Sequence, residues 1–230
     1  MKSQKFTSLA VIPARSGSKR LPRKNFLEFR GKPMVEWTIK SACESEIFNK
    51  IVFSSDDKLA EQISKKYPVN FQKRESQLSS DKSSLVDVCL DIIKKESQKG
   101  NFYDFIFCLY ATSPLRDAND IKNIFKILTE KNASAVIAVT KYLHYPHQAL
   151  KFNSDTSISY YWPDKANIRS EKMPNLFAGN GSTYAIKVDK FIQYKNFVPP
   201  VDVYSYEMPI WKSLDIDTKD DFEMLNKMFK

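Results

Sequence analysis

Short runs of apolar residues alternate with amphipathic stretches along the first 140 residues of the chain. Residues 7–14 include four consecutive apolar side chains, a pattern typical of a strand covered on both faces of its sheet. Similar runs predict strands at residues 51–53, 69–71, 105–110 and 135–139. Apolar residues at helical spacing predict a helix with Pro33 in its first turn, and further helices at residues 58–66, 84–97 and 118–130. This alternation predicts an α/β fold in which a mostly parallel central sheet is flanked by helices.

The pattern changes over residues 140–179, where aromatic residues and prolines are dense and no helical period is present. We expect this segment to form a flap over a site or a dimerisation arm, because dense exposed aromatic residues normally find a partner. Farther along, residues 182–188 are predicted as a strand and residues 218–229 as a helix with Thr218 as its N-cap. With 42% hydrophobic residues in 230, the chain has enough apolar material for a single domain spanning residues 1–230.

The composition excludes several classes of protein. No apolar run approaches the ~20 residues of a membrane-spanning helix, and the N-terminal run is too short for a signal peptide. The three cysteines are far apart and only two histidines are present, which argues against a disulfide framework or a zinc site. We therefore expect a cytoplasmic protein that does not associate with membranes.

Basic residues outnumber acidic ones, 36 to 27, which gives a formal net charge of +9. Most of them are spread along the chain, as on a solvated surface, but residues 12–25 form a basic loop after the first strand. Its cations include Arg15, Lys19 and Lys24, and its small residues are Ser16, Gly17 and Ser18. The small residues let backbone N–H groups approach an anion, and the cations suit a polyphosphate. Because the loop matches neither a P-loop nor a dinucleotide fingerprint, an ordinary basic surface loop remains the alternative.

Two carboxylates, Asp215 and Asp217, stand two residues apart near the C-terminus. In an extended segment residues at this spacing point to the same face, so both can meet one divalent cation. Two carboxylates together with substrate phosphates are what Mg²⁺ usually takes, since it keeps much of its water. The alternative is that these acids only support the N-terminus of the helix that follows.

Two polar segments are joined to strands: YATSPLR at residues 110–116 and NGSTY at residues 180–184. Ligands bind at the carboxyl ends of strands in open parallel sheets, so these small polar residues are candidates for holding hydroxyls and carboxylates. The candidate substrate-binding residues here are Tyr110, Thr112, Ser113 and Asn180. An ordinary turn at the end of a strand is the alternative for both segments.

Five blocks, in this order, resemble the acylneuraminate cytidylyltransferase family, the CMP-sialic acid synthetases and their bacterial relatives. They are IPARSGSKRLPRKN at residues 12–25, RESQLSSD at 74–81, YATSPLR at 110–116, NGSTY at 180–184 and SLDIDTKDD at 213–221. The resemblance covers nearly the whole chain and is vaguest over residues 142–162. It implies a Rossmann-like nucleotidyltransferase fold, a homodimer with a swapped arm, CTP as substrate, and Mg²⁺, for which Mn²⁺ can substitute. The implied reaction forms the CMP glycoside of an acidic 2-keto-3-deoxy sugar.

The resemblance also implies roles for individual residues. Arg15, Lys19 and Lys24 fall where the family holds the CTP phosphates, and Asn25 falls at a ribose contact. The positions implied for the cytosine pocket are Arg74 and Ser83, those for the metal are Asp215 and Asp217, and a sugar contact is implied at Arg169. The sequence Tyr-Ala-Thr at residues 110–112 is similar to the pseudaminic acid enzymes, whereas residues 180–184 are closer to the sialic acid enzymes, so both sugars stay open.

The implied chemistry is attack of the anomeric 2-hydroxyl of the sugar on the α-phosphorus of CTP, with pyrophosphate leaving. Arg15 and Lys24 would neutralise charge, and either Asp217 or a water on the metal ion would take the hydroxyl proton. A sugar-1-phosphate nucleotidyltransferase is a rival, but Gly17 is the single glycine of a loop that is normally Gly-rich in that class. A basic nucleic-acid-binding module is a second rival, which requires a contiguous basic face and has no need of paired carboxylates.

Overall fold

The computed structural model describes residues 6–79 and 83–229, and these residues form strands and helices in alternation. The strands are β1 (Ser8–Pro13), β2 (Glu28–Phe29), β3 (Lys32–Pro33), β4 (Lys50–Ser55), β5 (Asn70–Lys73), β6 (Phe105–Leu109), β7 (Ala135–Lys141), β8 (Leu150–Phe152), β9 (Ile158–Tyr160), β10 (Phe177–Lys187) and β11 (Val203–Glu207). The helices are α1 (Met34–Ser45), α2 (Lys58–Ser64), α3 (Ser76–Ser79), α4 (Leu85–Gln98), α5 (Ala118–Glu130), α6 (Val188–Tyr194) and α7 (Lys219–Met228).

Seven strands form the central sheet, in the order β11-β7-β10-β6-β1-β4-β5. Neighbouring strands are parallel except at β10, which runs antiparallel to both β6 and β7. The predicted α/β architecture with a mostly parallel central sheet is therefore confirmed. Thr183 pairs with Leu109, the last residue of β6, so the residues just before Thr183 lie beyond the carboxyl end of β6. The reversed direction of β10 thus brings the NGSTY segment to the YATSPLR loop.

The sheet is buried on both faces, as the apolar runs predicted. Alternate residues of β1 enter two different hydrophobic clusters: Ala10 and Ile12 pack with α1 and α5, while Leu9 and Val11 pack with α4 and α6. A third, smaller cluster joins Ile216 and α7 to Phe29 and α1. Because Ile216 lies between Asp215 and Asp217, this cluster anchors both carboxylates to the body of the fold.

Three helices begin with a reciprocal capping box, in which the N-cap side chain and the third helical residue exchange hydrogen bonds. The pairs are Ser84 with Asp87 in α4, Asp117 with Asp120 in α5, and Thr218 with Asp221 in α7. Each box satisfies backbone N–H groups that would otherwise lack an intrahelical partner. The predicted bounds of α5 are confirmed, as is the N-cap role of Thr218.

Several elements differ from the predictions. Pro33 lies in β3 and immediately precedes α1, rather than lying in the first turn of the helix. β10 begins at Phe177, earlier than predicted, and β7 extends to Lys141, so both ends of the 140–179 segment belong to the sheet. Within the segment, β8 and β9 pair as a short antiparallel hairpin. We call residues 142–176, which connect β7 to β10, the arm.

None of the helices in the described ranges combines the length and the apolar character that crossing a membrane would need.

Candidate active site

A cavity of about 390 Å³ opens at the carboxyl ends of β1, β5 and β6. Its lining residues are Pro13, Arg15, Gly17, Ser18, Lys19, Arg20, Lys24, Asn25, Arg74, Ser83, Leu85, Val88, Tyr110, Ala111, Thr112, Asp215 and Asp217. The basic loop, both carboxylates and the start of the YATSPLR segment therefore surround one space. This is the position where open α/β sheets bind ligands.

The basic loop is fixed to the end of β4 and is closed by a hydrogen bond within itself. The backbone N–H and the hydroxyl of Ser16 both donate to the Asp56 carboxylate, at 2.7 and 2.9 Å. The buried Asn25 side chain donates to the carbonyl oxygen of Arg15 at 2.9 Å. Because both ends of the loop are held by polar contacts, its cations are directed toward the cavity at little further cost in conformational entropy.

Asp217 accepts from two cations of this loop. Arg20 Nη2 lies 2.6 Å from Asp217 Oδ2, and Lys24 Nζ contacts Asp217 Oδ1. Burial alone would raise the pKa of Asp217, but the hydrogen bonds and charges of Lys24 and Arg20 outweigh it and lower that pKa below its ordinary value. Asp217 is therefore ionised at neutral pH and links the basic loop to the C-terminal part of the chain.

Asp215 has a different environment. Its pKa is raised, chiefly by burial and further by the charge of Asp217, although a hydrogen bond from Thr112 opposes the shift. Its Oδ1 atom is buried and has no hydrogen-bond partner among the described residues. A buried carboxylate oxygen without a partner is costly, so this atom is suited to a cation that shares the cavity.

Arg74 lies on the opposite wall of the cavity, directly after β5. Its side chain is 6% exposed, and Nη2 donates to the carbonyl oxygen of Ser54 at 3.1 Å. Burial lowers the pKa of Arg74, and the charge of Asp56 opposes that shift. Leu85 and Val88 of α4 add an apolar surface beside it. This wall combines a fixed polar donor with apolar side chains, which suits a ring carrying carbonyl and imino acceptors.

Four of the residues predicted from the sequence lie outside the cavity lining. Ser16 contacts Asp56, Ser113 Oγ donates to the carbonyl oxygen of Gly181 at 3.1 Å, and Asn180 donates to Ser213 Oγ at 3.0 Å. Arg169 is exposed on the arm. Ser80 and Asp81, which end the RESQLSSD block, lie outside the described residues.

Sequence reasoning missed the contribution of Arg116, the last residue of the YATSPLR segment. Its side chain is 2% exposed, and Nη1 donates to the carbonyl oxygen of Ser182 at 2.6 Å and to that of Tyr110 at 3.4 Å. Burial lowers the pKa of Arg116 to about 10. Arg116 joins the two polar segments from beneath the site, and an arginine at the end of a loop carried no signal of such burial.

The family model for cytidylyltransferases matches residues 9–229 of the chain. The chain belongs to the cytidylyltransferase family. This cytidylyltransferase is 30% identical over 225 residues to the pseudaminic acid cytidylyltransferase of Campylobacter jejuni subsp. jejuni serotype O:23/36, covering 97% of this chain and 96% of the relative. It is 31% identical over 217 residues to the N-acylneuraminate cytidylyltransferase of Streptococcus agalactiae serotype V, covering 93% of this chain and 51% of that longer relative.

Among solved structures, a CMP:2-keto-3-deoxy-manno-octonic acid synthetase complexed with CTP superposes on the cytidylyltransferase with a TM-score of 0.72. The two chains are 17% identical, and the superposition covers 96% of this chain and 98% of the other. The likeness shows that the fold is the nucleotidyltransferase fold expected from the sequence. The family model and the named relatives confirm the resemblance to a cytidylyltransferase family, while the roles of single residues stay predictions.

Proposed function

We propose that this cytidylyltransferase transfers CMP from CTP to the anomeric 2-hydroxyl of an acidic 2-keto-3-deoxy sugar and releases pyrophosphate. The observation that carries the proposal is the cavity, which is lined by the basic loop, by Asp215 and Asp217, and by Arg74. A triphosphate needs cations along its length, and nucleotidyl transfer depends on positioning and charge neutralisation more than on covalent participation by the protein. Membership of the family and the names of its relatives support the substrate class.

The nucleotide is proposed to lie across the cavity with its phosphates on the basic loop. Arg15, Lys19 and Lys24 supply positive charge, and the backbone N–H groups of Gly17 and Ser18 are close to the same space. Cytosine would then lie near Arg74 and Ser83, with Asn25 near the ribose.

Asp215 and Asp217 are proposed to hold Mg²⁺, or Mn²⁺ in its place. The donor set fits a hard cation at Asp215, because one of its oxygens is buried without a partner in the described part of the chain. Asp217 is ionised but contacts Arg20 and Lys24 in this structure, so the ion would replace one of these contacts. When bound, the ion would polarise the phosphates of CTP. Asp217 itself is a weak proton acceptor, since Lys24 and Arg20 lower its pKa. A water held beside these carboxylates is therefore the proposed acceptor for the proton of the attacking hydroxyl.

The sugar is proposed to bind on the side of Tyr110 and Thr112, which line the cavity at the end of β6. Ser113 and Asn180 support this side from behind, through Gly181 and Ser213. Pseudaminic acid and N-acylneuraminic acid are the candidate acceptors, on the strength of the named relatives. CTP is a cytoplasmic metabolite, so we also propose that the enzyme acts in the cytoplasm.

The arm is proposed to hold two copies together as a homodimer. It carries a dense set of exposed apolar side chains: Tyr142, Leu143, Tyr145, Leu150, Phe152, Ile158, Tyr160, Tyr161, Trp162 and Leu176. A surface of this kind is expensive to leave in water and is typical of an interface. Arg169 is exposed on the same arm, outside the cavity of its own chain. We propose that it contacts the sugar bound in the cavity of the second copy.

The reaction is tested by mixing the protein with CTP, Mg²⁺ and either pseudaminic acid or N-acetylneuraminic acid, while pyrophosphate release is followed. We expect release with at least one of these sugars, with CTP strongly preferred over UTP and ATP. Sugar-1-phosphates serve as the control acceptors. Release with a sugar-1-phosphate alone, or with neither keto acid, would overturn the proposal.

A further inference from the structure

Gly181 lies against the carboxylate of Asp215 more closely than any other residue type could. A Cβ atom built on Gly181 would be 2.5 Å from Asp215 Oδ2 and 2.9 Å from Asp215 Cγ, and real Cβ contacts essentially never fall below 3.0 Å. The backbone of Gly181 has a φ of +64°, in the left-handed region that glycine adopts without strain. Both observations favour glycine at this position, because any side chain would force the Asp215 carboxylate to shift.

The segment that carries Gly181 is fixed and cannot move aside easily. The pairing of β10 with β7 shifts register between Gly179 and Tyr184, so residues 180–183 form a bulge. Ser113 donates to the carbonyl oxygen of Gly181 at 3.1 Å, and the buried Arg116 donates to that of Ser182 at 2.6 Å. Contacts on both carbonyls hold the bulge against the YATSPLR loop.

The YATSPLR loop also holds the segment that carries Asp215. The backbone N–H of Ile216, the next residue, donates to the carbonyl oxygen of Thr112 at 2.9 Å. The backbone beside Asp215 is thus held in place while its carboxylate lies against the bare Cα of Gly181. If a side chain were added at Gly181, the group with freedom to move would be the Asp215 carboxylate.

We propose that Gly181 is a positioning residue, which fixes the orientation of the Asp215 carboxylate by leaving space for its Oδ2 atom. The proposal rests on the function proposed above, since it assigns to Gly181 the alignment of a carboxylate at the reacting phosphates. Bulges of this kind frequently occur next to active sites, where they direct a side chain. Here the bulge directs a side chain on a different segment.

The test compares Gly181→Ala with Gly100→Ala. Gly100 has a φ of +82° and open space around its Cα, so Gly100→Ala carries a similar backbone strain without a contact. We expect Gly181→Ala to lower kcat roughly 100-fold, as a displacement of ~1 Å at a reacting centre does. Mn²⁺ affinity in the presence of CTP, measured by electron paramagnetic resonance, should fall roughly 10-fold or more. CTP affinity measured calorimetrically without metal should stay close to that of wild type, because the basic loop is untouched. Gly100→Ala should change neither kcat nor Mn²⁺ affinity.

The same substitution in an Asp215→Ala background keeps the test decisive if Gly181→Ala folds poorly. Removing Oδ2 and Cγ leaves Asp215 Cβ as the nearest contact, at an ordinary 3.5 Å. Gly181→Ala should then cost no more stability in urea denaturation than Gly100→Ala does in that background. Equal turnover, Mn²⁺ affinity and stability of Gly181→Ala and Gly100→Ala would overturn the inference. Absence of turnover by the wild type would instead count against the proposed function, while the Mn²⁺ and urea measurements would still decide the role of Gly181.

Discussion

The nucleotide side of the cavity and the arm differ in how completely one chain builds them. On the nucleotide side, Ser16 and Arg74 are hydrogen-bonded to residues at the end of β4, Asn25 is hydrogen-bonded within the basic loop, and the cations lie around a defined space. The arm has few buried side chains and exposes its aromatic residues. With the proposed function, this difference predicts that one chain suffices to bind CTP, whereas orientation of the sugar also needs the arm of a second copy.

The largest expected effect concerns the two carboxylates of the cavity, Asp215 and Asp217. Removing divalent metal with EDTA should abolish turnover, and Mg²⁺ or Mn²⁺ should restore it. Asp215→Asn should lower kcat roughly 100-fold or more, because charge stabilisation by a metal ion is worth several kcal/mol in a transition state. Steady-state kinetics with Asp220→Asn as the control checks this, since Asp220 is an exposed acid in the first turn of α7. Full activity of both Asp215→Asn and Asp217→Asn would rule out the metal assignment.

The next effect separates the two substrates. Lys24→Ala should raise the KM for CTP or lower kcat roughly tenfold to a hundredfold with every sugar, because a charge-assisted hydrogen bond is lost. Arg169→Ala should weaken the sugar by a similar factor and leave CTP affinity nearly unchanged. Calorimetric titration of CTP without sugar measures the difference, with the exposed arm residue Lys172→Ala as the charge control. Equal loss of CTP affinity in the Lys24 and Arg169 variants would contradict the proposal that Lys24 contacts CTP and Arg169 contacts the sugar.

A smaller effect tests the arm as an interface. Phe152 is 79% exposed on β8, and Phe102, outside the arm, is 74% exposed. Phe152→Ser should weaken the dimer by about tenfold or more, since burying a Phe side chain is worth roughly 1.5–3 kcal/mol. Phe102→Ser should leave the dimer intact. Light scattering across a dilution series measures both variants, and a monomeric wild type at micromolar concentration would refute the dimer.

The smallest effect concerns stability. The pKa of Asp215 is raised and that of Asp217 is lowered, so the two carboxylates should affect the free energy of unfolding in opposite directions. The raised pKa of Asp215 means that its ionised form opposes folding once the pH exceeds its unfolded pKa, so Asp215→Asn should not destabilise the metal-free protein at pH 7. The lowered pKa of Asp217 means that its ionised form supports folding above its unfolded pKa, and that this support is lost as pH falls through the folded pKa. Asp217→Asn should therefore destabilise slightly at pH 7. Urea denaturation from pH 7 to pH 3 measures both, and equal curves for the two variants would contradict these pKa shifts.

Much of the fold follows from local patterns in the sequence. β1 and β6 are continuously apolar because both of their faces are covered, and α5 begins at a capping box that the sequence displays. By contrast, β11 was not predicted. It lies at the edge of the sheet, most of its residues are partly or fully exposed, and its sequence VYSYE has no apolar run. Strand direction also carries no local signal, so the antiparallel β10 followed from the structure alone.

The candidate site also contains residues that the sequence predicts and residues that it does not. Residues 12–25 and 215–217 have unusual charge for their positions, and the structure brings them to one cavity. Leu85 and Val88 look like ordinary apolar residues of a helix, and their place beside Arg74 depends on how α4 packs across the sheet. The sequence does not reveal that Gly181 has no room for a side chain, because the contact that excludes one comes from Asp215, 34 positions later.

β10 also gives the arm a direct mechanical connection to the cavity. The strand leaves the arm at Phe177 and reaches the bulge at Asn180 three residues later, roughly 10 Å along a strand. Residues 177–179 pair with β7, and residues 183–187, from the end of the bulge onward, pair with β6. Backbone held in a sheet transmits displacement along its length, whereas a flexible loop would absorb it. Covering the arm should therefore stiffen the bulge, and catalytic rate per chain should fall on dilution at the protein concentration where the dimer separates.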